Sequence, residues 1–370
     1  MENNKFGDKT LLTLIFILLT FGLVMIASAG VIYSQTRFGD EYYFFKHQLI
    51  YGILPGLVAM YFFQKIDYHF WRKVAVPFFF VSVIFLIMVF VPGVGSKVYG
   101  ASRWIQLGPF SFQPSEMAKL SVIIYLAAWL ESRGAKRIKD IYEGLMPFLG
   151  IMGLIGFLIM KQPDTGTLLV LVLTSFSIFF VSGGRLQHLA SMGAMGIASL
   201  WVLIKIEPYR FNRILTFLDP GADPQGIGYQ INQALLAVGS GGFFGVGLGH
   251  SRQKFNYLPE PVGDSIFAVI GEEVGLIGAS ILVILFLFFA FRGIKIAKNA
   301  PDVFGQLVAT GITMWIILQA FINIGANIAL VPLTGIPLPF ISYGGTSLMF
   351  LMAAVGILLN ISKQTNLTRD

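Results

Sequence analysis

The residues best suited to chemistry lie in one polar stretch of the sequence, which runs from Glu207 to Glu273 between long apolar segments. It contains carboxylates at Glu260, Asp264 and Glu272, together with several arginines and lysines. A carboxylate can remove a proton from an attacking hydroxyl, and a cation can hold a phosphate. Irregular backbone is excluded from contact with lipid tails, so this stretch must lie at a membrane surface or line a cavity. Either location suits chemistry on a substrate that is carried by a lipid.

Asp264 follows Gly263 and precedes a long apolar helix, a pattern that is compatible with two roles. Asp is favoured at helix N-caps, and the helix dipole also stabilises an anion there. A general base at this position would need partial desolvation to keep its basicity. The pattern leaves cap and base open. Glu272 falls about 80° from Asp264 on a helical wheel and Glu273 on the opposite face, so only Glu272 is expected to share the cavity of Asp264.

Two further groups of charges lie at membrane depth or near the membrane surface. Glu116 and Lys119 are spaced at i and i+3 on a predicted helix, so they share a face and can either neutralise each other or line a polar cavity. Four cations are candidates for holding a diphosphate, with contacts to lipid headgroups as the alternative: Arg103, Arg210, Arg213 and Lys254.

The composition is that of an integral membrane protein. The chain has 370 residues, of which 55% are hydrophobic and 12% are charged, whereas soluble domains carry roughly a quarter charged residues. The net charge is +7, but the charges flank apolar runs and form no basic face, so nucleic acid is not an expected partner. The absence of cysteine excludes disulfides and thiolate chemistry. The four histidines show no spacing typical of metal ligands.

Apolar runs predict an all-α integral membrane protein with ten transmembrane helices in a single polytopic domain, residues 1–370. A large extracellular loop, at about residues 207–263, is expected between helices 7 and 8. The predicted spans are Leu11–Tyr33, His47–Phe63, Val74–Val91, Glu116–Leu130, Leu145–Met160, Thr167–Val181, Gln187–Ile206, Ile266–Phe291, Val303–Ile328 and Gly344–Ile361.

The distribution of lysine and arginine predicts that both termini are cytoplasmic. Most of these residues outside the long polar stretch fall on the side of the amino terminus. The short loops on the other side hold only Arg37, Lys46, Lys97, Arg103 and Lys161. The polar stretch would then face outward, where no cytosolic ATP is present. A synthetic reaction there needs a substrate that arrives already activated.

The glycine-rich segment Gly239–Gly249 superficially resembles a phosphate-binding loop. It has no Lys-Ser/Thr after its last glycine, no G-x-G-x-x-G spacing and no preceding strand. We therefore interpret it as a tightly turned or re-entrant segment, in which glycine allows positive φ or close approach of backbone.

Several motifs resemble the SEDS family of cell-wall glycosyltransferases, and together they cover nearly the whole chain in order. They are Gly100–Ile105, Gln113–Leu120, Gln162–Thr167, Phe217–Pro220, Gly228–Gln230, Tyr257–Glu260, Ile266–Glu273 and Pro332–Ser347. The segment Ser251–Glu260 is similar to the division branch, FtsW, more than to the elongation branch, RodA.

This resemblance implies ten helices and polymerisation of lipid II into peptidoglycan at the outer face of the bacterial plasma (inner) membrane. It also implies a class B penicillin-binding protein and divisome proteins as partners, and a divalent cation, Mg or Mn, as cofactor. The essential aspartate of the family maps onto Asp264. The family typically has His-Thr before this aspartate and Phe after it, whereas the segment Pro261–Ser265 here reads Pro-Val-Gly-Asp-Ser.

The sequence therefore predicts an inverting glycosyltransferase in which Asp264 is the general base and undecaprenyl diphosphate is the leaving group. Two alternatives belong to other classes: a lipid II flippase or transporter, and a non-catalytic scaffold for a penicillin-binding protein. The candidate substrate-binding residues are Arg103, Glu116, Lys119, Asp164, Arg210, Arg213, Lys254, Glu260 and Ser342. No metal ligands are assigned.

The predicted topology can be tested by labelling single cysteines, because the chain has none of its own. Ala222→Cys should react with a membrane-impermeant maleimide added to intact cells, since residue 222 lies in the stretch expected to face outward. Ala135→Cys should react only after the cells are opened. The reverse pattern would contradict the outward orientation and the energy source inferred from it.

Overall fold

The structure is a computed structural model that describes residues 7–98, 101–108, 110–206, 215–219 and 226–365. The chain is mostly helical. Its helices are α1 (Lys9–Phe38), α2 (Tyr43–Gln48), α3 (Leu54–Lys65), α4 (His69–Met88), α5 (Pro114–Ile138), α6 (Met146–Lys161), α7 (Thr165–Val181), α8 (Leu186–Ile206), α9 (Ile227–Ser240), α10 (Ile266–Lys298), α11 (Val303–Asn327) and α12 (Gly345–Gln364). A π-helical turn, Leu49–Ile53, joins α2 to α3, and another, Ile141–Leu145, leads into α6.

Within the described residues, six helical segments are long and apolar enough to cross a membrane, so the chain is a multi-pass membrane protein. They are α1, α4, the segment Ile141–Lys161, α10, α11 and α12. Each of the ten predicted spans falls on a helix, the second on α2 and α3 together, the fourth on α5 and the seventh on α8. Helix α7 is apolar but has only 17 residues. The count of ten spans stays a prediction.

Helices α11 and α12 form the centre of the bundle. In their most apolar windows 67% and 72% of the residues are buried, compared with 28% in α10. Helix α12 packs mainly against α3, and α11 packs against α10, α7 and α5. The large side chains of Trp315 and Phe304 on α11, and of Phe286 and Phe289 on α10, are fully enclosed. The outward faces of α4 and α10 carry exposed apolar residues, as expected for contact with lipid.

A small sheet between α4 and α5 departs from the all-α prediction. Strands β1 (Gly95–Val98), β2 (Ala101–Leu107) and β3 (Phe110–Phe112) are antiparallel in the order β1-β2-β3. Pro114, at the first position of α5, suits a helix start directly after β3, because proline has no N–H to leave unbonded. The sheet places Arg103 and Trp104 beside the ends of α5 and α7, and we call this end of the bundle the sheet end.

Helix α10 is interrupted at Gly275, whose φ is 68°. The glycine-rich segment packs against this break. Val246 and Gly247 donate to the carbonyls of Glu272 and Glu273 at 2.9 and 3.1 Å. In return, Leu276 and Ile277 donate to the carbonyls of Gly242 and Phe243, also at 2.9 and 3.1 Å. Backbone groups released by the break are thereby satisfied, as burial requires.

The interpretation of the glycine-rich segment as a tight turn is confirmed. Gly242, Gly245, Gly247 and Gly249 all have positive φ, and a Cβ on Gly245 would lie 2.2 Å from the Glu273 carbonyl oxygen. The predicted loop 207–263 is corrected in one respect, since it contains helix α9 within its described part. The sequence of α9 is amphipathic, and the prediction of the whole polar stretch as a loop did not separate it from its neighbours.

Gly245→Ala should destabilise the protein by at least about 1 kcal/mol, because the residue has a φ of 82° and no room for a Cβ. Gly239→Ala is the matched control, since a Cβ there meets nothing within 4 Å and the residue is helical. It should be neutral or slightly stabilising, as alanine favours helix over glycine. The unfolding temperatures of the two purified variants and the parent, measured in detergent, give both stability changes. Equal midpoints for the two would contradict the packing of this segment against α10.

Candidate active site

A cavity of about 730 Å³ opens at the sheet end of the bundle, and Asp264 lies in its wall. We call it the Asp264 cavity. Helices α1, α2, α5 and α7, strand β2 and the segments 260–264 and 335–347 all contribute to it. Its described acidic and basic lining residues are Arg37, His47, Arg103, Glu116, Asp164, Glu260 and Asp264. The cavity thus holds both carboxylates suited to proton transfer and cations suited to an anionic group.

Two asparagines of α11 hold the backbone of Asp264. The side-chain amides of Asn323 and Asn327 each donate to the Asp264 carbonyl oxygen at 2.8 Å. Asn323 also donates to the carbonyl of Ile336, at 2.8 Å, and so ties in the segment on the other side of the cavity. Polar side chains inside an apolar helix are costly unless they are hydrogen-bonded. Here their bonds fix the main chain that carries the carboxylate.

The two residues before Asp264 are held by the segment that precedes α12. Ser342 Oγ donates to the Gly263 carbonyl at 2.7 Å, and the Tyr343 N–H donates to the Val262 carbonyl at 2.8 Å. Ser342 Oγ also accepts the Leu338 N–H at 2.7 Å. Burial raises the pKa of the Tyr343 phenol above its ordinary value. The phenol oxygen lies 2.9 Å from His47 Nδ1.

The carboxylate of Asp264 does not cap the following helix. The N-cap of α10 is Ser265, and it makes no side-chain cap bond. Asp264 Oδ2 lies 3.5 Å from Gln230 Nε2 on α9, and the same amide donates to Ser265 Oγ at 3.1 Å. A Cβ on Gly335 would lie 3.8 Å from Asp264 Oδ2. The sequence pattern left two roles open, helix cap and general base. The structure places the carboxylate in the wall of the cavity.

Glu116 and Lys119 form the predicted ion pair, with 2.8 Å between Lys119 Nζ and Glu116 Oε1 and both side chains 2% exposed. Glu116 also accepts from Ser347 Oγ at 2.9 Å and lines the Asp264 cavity. Lys119 lies behind the cavity wall, where Nζ donates to Gln319 Oε1 at 2.8 Å and faces the Trp315 ring at 4.9 Å. The structure therefore gives Lys119 a role in neutralising Glu116 and does not place it in the cavity lining.

Arg103 and Asp164 lie together in the wall formed by β2 and the start of α7. Arg103 Nε donates to the Gln162 carbonyl at 3.0 Å, and its guanidinium also contacts the Pro163 carbonyl. Asp164 caps α7 by accepting the Thr167 N–H at 3.2 Å. Both residues line the Asp264 cavity. Arg103 thus connects strand β2 to the residues just before α7, and its guanidinium lies in the cavity lining.

Glu260 lines the same cavity and accepts a hydrogen bond from the Tyr33 hydroxyl at 3.0 Å. Its φ of 46° is rare for a residue other than glycine. The tyrosine comes from the last turns of α1, so this contact connects α1 to the segment that leads to Asp264.

Three predicted placements are corrected by the buried contacts around α10. Lys254 is 3% exposed, and its Nζ is 2.9 Å from Glu273 Oε1 and 3.2 Å from Ser28 Oγ, so it is not an outward cation. Glu272 accepts from Ser251 Oγ at 2.5 Å and is absent from the cavity lining. The predicted angle between Asp264 and Glu272 was wrong because α10 begins at Ile266, so Asp264 does not follow helical geometry. Ser342 holds backbone and does not line the cavity.

Arg210 and Arg213 lie outside the described residues. The sequence reasoning missed Asn323, Asn327 and Gln230, whose amides lie against Asp264 and Ser265. The signal for the first two was two asparagines at i and i+4 in an otherwise apolar helix. Among the residues that the structure describes, no three His, Cys, Asp or Glu side chains gather closely enough to hold a metal ion.

Comparisons with known proteins identify relatives over almost the full length. The family model of the FtsW/RodA/SpoVE cell cycle proteins matches residues 9–367. Stage V sporulation protein E of Bacillus subtilis (strain 168) is 44% identical over 364 residues, which are 98% of this chain and 99% of that protein. A probable peptidoglycan glycosyltransferase FtsW of Geobacter sp. (strain M18) is 41% identical over 355 residues, 96% of each chain.

A solved structure has the same fold. It is described as the structural coordination of polymerization and crosslinking by a peptidoglycan synthase complex. The matched chain is 27% identical, with a TM-score of 0.82, and the match covers 98% of this chain and 99% of that one.

Lys119→Met should destabilise the protein by about 3–5 kcal/mol, because it leaves Glu116 as an unpaired buried charge. The double variant Glu116→Gln/Lys119→Met should recover most of that loss. Lys139→Met, at the exposed end of α5, is the matched control and should unfold like the parent. Thermal unfolding in detergent measures all four proteins. A single variant as stable as the control would show that the pair does not balance a buried charge.

Proposed function

The chain belongs to the FtsW/RodA/SpoVE family of cell cycle proteins, and from this membership and its site we propose that it is a peptidoglycan glycosyltransferase that polymerises lipid II. The observation that carries the proposal is the position of Asp264, whose carboxylate lies in a charged cavity. Asn323 and Asn327 hold its main-chain carbonyl, and Ser342 holds the carbonyl of the preceding Gly263. Fixed geometry of this kind is what general base catalysis requires.

In the proposed reaction Asp264 removes the proton from the acceptor sugar hydroxyl of lipid II. The hydroxyl oxygen attacks the anomeric carbon of the lipid-linked strand from the side opposite its leaving group, so the configuration inverts. The new glycosidic bond forms as the bond to undecaprenyl diphosphate breaks, and the diphosphate carries away the electron pair. Glu260, in the same wall, accepts a hydrogen bond from Tyr33 and helps to orient the acceptor.

The leaving diphosphate gains negative charge, and stabilising such charge is usually the largest catalytic contribution. Arg103 and Arg37 are the described arginines of the cavity lining and are suited to this task. Arg210 and Arg213 are further candidates from the sequence. Lys119 contributes indirectly, because its charge offsets that of Glu116.

A divalent cation, Mg or Mn, is part of the proposal. Asp264 and Glu260 line one cavity, and Mg²⁺ is typically bound by one or two carboxylates together with substrate phosphates. This donor set therefore fits a cation shared with the diphosphate better than one held by protein alone. Such a cation would neutralise the diphosphate.

We propose that the protein lies in the bacterial plasma (inner) membrane with both termini cytoplasmic and the sheet end facing outward. Lipid II brings its own activated linkage, so the reaction needs no ATP on that side. The charged lining residues gather at the sheet end, which favours catalysis over transport through the bundle.

The proposed partner is a class B penicillin-binding protein, which would cross-link the strands as they are made. Support comes from the similarity to a peptidoglycan synthase complex that coordinates polymerization and crosslinking. Membership of a family of cell cycle proteins supports a role in cell division, with divisome proteins as further proposed partners.

Asp264→Asn should lower the rate of lipid II polymerisation by about 10²–10⁴, the usual contribution of a general base. The fold should be retained, because the Asp264 contacts to α11 are made by its backbone carbonyl. Asp264→Glu should be impaired but active. The assay uses folded protein with penicillin-binding protein present throughout. Asp40→Asn, in the exposed turn after α1, is the matched control. An Asp264→Asn variant that polymerises like this control would end the assignment and move the search for a base to Glu260.

A further inference from the structure

A second, smaller cavity of about 360 Å³ adjoins the Asp264 cavity. Tyr33, Arg37 and Glu260 line both cavities and form the wall between them. The rest of the smaller cavity comes from Tyr229 on α9 and from the segment Asn256–Glu260. We call it the tyrosine cavity. The mechanism proposed above assigns it no role.

The backbone of the segment Asn256–Glu260 is unusual at both ends. Asn256 has a φ of 64° and Glu260 a φ of 46°, conformations that cost free energy and that cluster at functional sites. Between them Leu258 is buried, 2% exposed, and its N–H donates to the Gln253 carbonyl at 2.9 Å. Tyr257, next to this anchor, is 57% exposed. The strained segment therefore presents an aromatic ring to the cavity on a fixed support.

The chemistry of the tyrosine cavity suits a neutral, hydroxyl-rich ligand. Its charged lining residues are one cation, Arg37, and one carboxylate, Glu260. The Arg37 guanidinium lies over the Tyr33 ring, 4.2 Å from its centroid. One face of this cation is therefore already in contact with a protein side chain. Asn256 and the phenols of Tyr229 and Tyr257 add groups that can donate and accept hydrogen bonds. Apolar ring faces combined with a few polar groups are typical of small-molecule sites.

We propose that the tyrosine cavity is a saccharide subsite that holds the glycan strand next to the reacting sugar. A hexose has a face of C–H groups that packs on an aromatic ring, and a rim of hydroxyls that pair with amide, phenol and carboxylate groups. The inference rests on the proposed function. It has the glycan strand extend from the Asp264 cavity, past Glu260, into the tyrosine cavity. The described lining of the tyrosine cavity pairs its one cation, Arg37, with the carboxylate of Glu260 and so offers no net positive charge to a diphosphate or a lipid headgroup. The Asp264 cavity adds Arg103 and the proposed divalent cation for that task.

A subsite in this position keeps the product attached between successive additions. Each hexose unit held by Tyr257 and Tyr229 adds to the affinity for the strand without contacting the reacting atoms. The length of the strands made per encounter then depends on this cavity, whereas the bond-forming step depends on Asp264.

The first test measures binding without turnover. The probe is a soluble peptidoglycan tetrasaccharide of alternating N-acetylglucosamine and N-acetylmuramic acid, with its lactyl carboxyl groups amidated so that it is neutral. Its binding is observed by saturation-transfer NMR with the purified full chain. The parent should bind it, and Tyr257→Ala should weaken binding up to about tenfold, within the range that one aromatic contact provides. Tyr257→Phe should retain most binding. Tyr42→Ala is the matched control, because Tyr42 is 48% exposed and lines neither cavity.

The second test measures strand length with lipid II and penicillin-binding protein present. Tyr257→Ala should give strands several-fold shorter than those of the parent at equal consumption of lipid II, and Tyr42→Ala should give the parental lengths. Absence of tetrasaccharide binding to the parent, or equal binding by parent and Tyr257→Ala, overturns the subsite. Parental strand lengths from Tyr257→Ala overturn it as well. A parent that binds the tetrasaccharide but polymerises nothing would instead contradict the proposed function, so the two failures are distinguishable.

Discussion

The site depends on hydrogen bonds to three consecutive main-chain carbonyls, those of Val262, Gly263 and Asp264. Two amides from the most central part of the bundle, Asn323 and Asn327, bind the last of them. Leaving the N–H groups of these amides unpaired in an apolar helix would cost free energy, so the packing of α11 favours this placement of the Asp264 backbone. The carboxylate is thereby held still although it lies on irregular backbone, a type of chain that a membrane tolerates only where it is buried or lines a cavity.

The broken helix α10 positions the chain that leads to this point. Its interruption at Gly275 allows the glycine-rich segment to pair with it. One turn earlier, Glu272 and Glu273 bind the segment Ser251–Lys254 through charge-assisted hydrogen bonds. Such bonds to a buried carboxylate are strong when formed and costly when broken. The same charges that would be expensive in the membrane therefore anchor the residues that precede the strained segment Asn256–Glu260, which lines the tyrosine cavity.

The sequence allowed prediction of features that depend on local pattern: the apolar spans, the Glu116–Lys119 pair at i and i+3, and the turned glycine segment. It did not allow prediction of features that depend on distant contacts. Lysine usually lies at a protein surface, so Lys254 was expected to be an exposed cation. The fold instead buries it against Glu273. Strands β1–β3 were missed because β1 and β3 have only four and three residues and each strand is stabilised by pairing with its neighbour. Ser342 belongs to a recognisable motif, yet only the structure shows that it binds the Gly263 carbonyl.

The most direct test of the account is to map where lipid II lies when it reacts. Lipid II with a photoreactive diazirine on the acyl group of its N-acetylglucosamine would be illuminated with the purified protein and its adducts located by mass spectrometry. The account predicts adducts on the segments 257–264 or 335–347, which contribute lining residues to the Asp264 cavity and its neighbour. Unlabelled lipid II should compete with this labelling. Competed adducts confined to the opposite end of the bundle, with none on these segments, would contradict it.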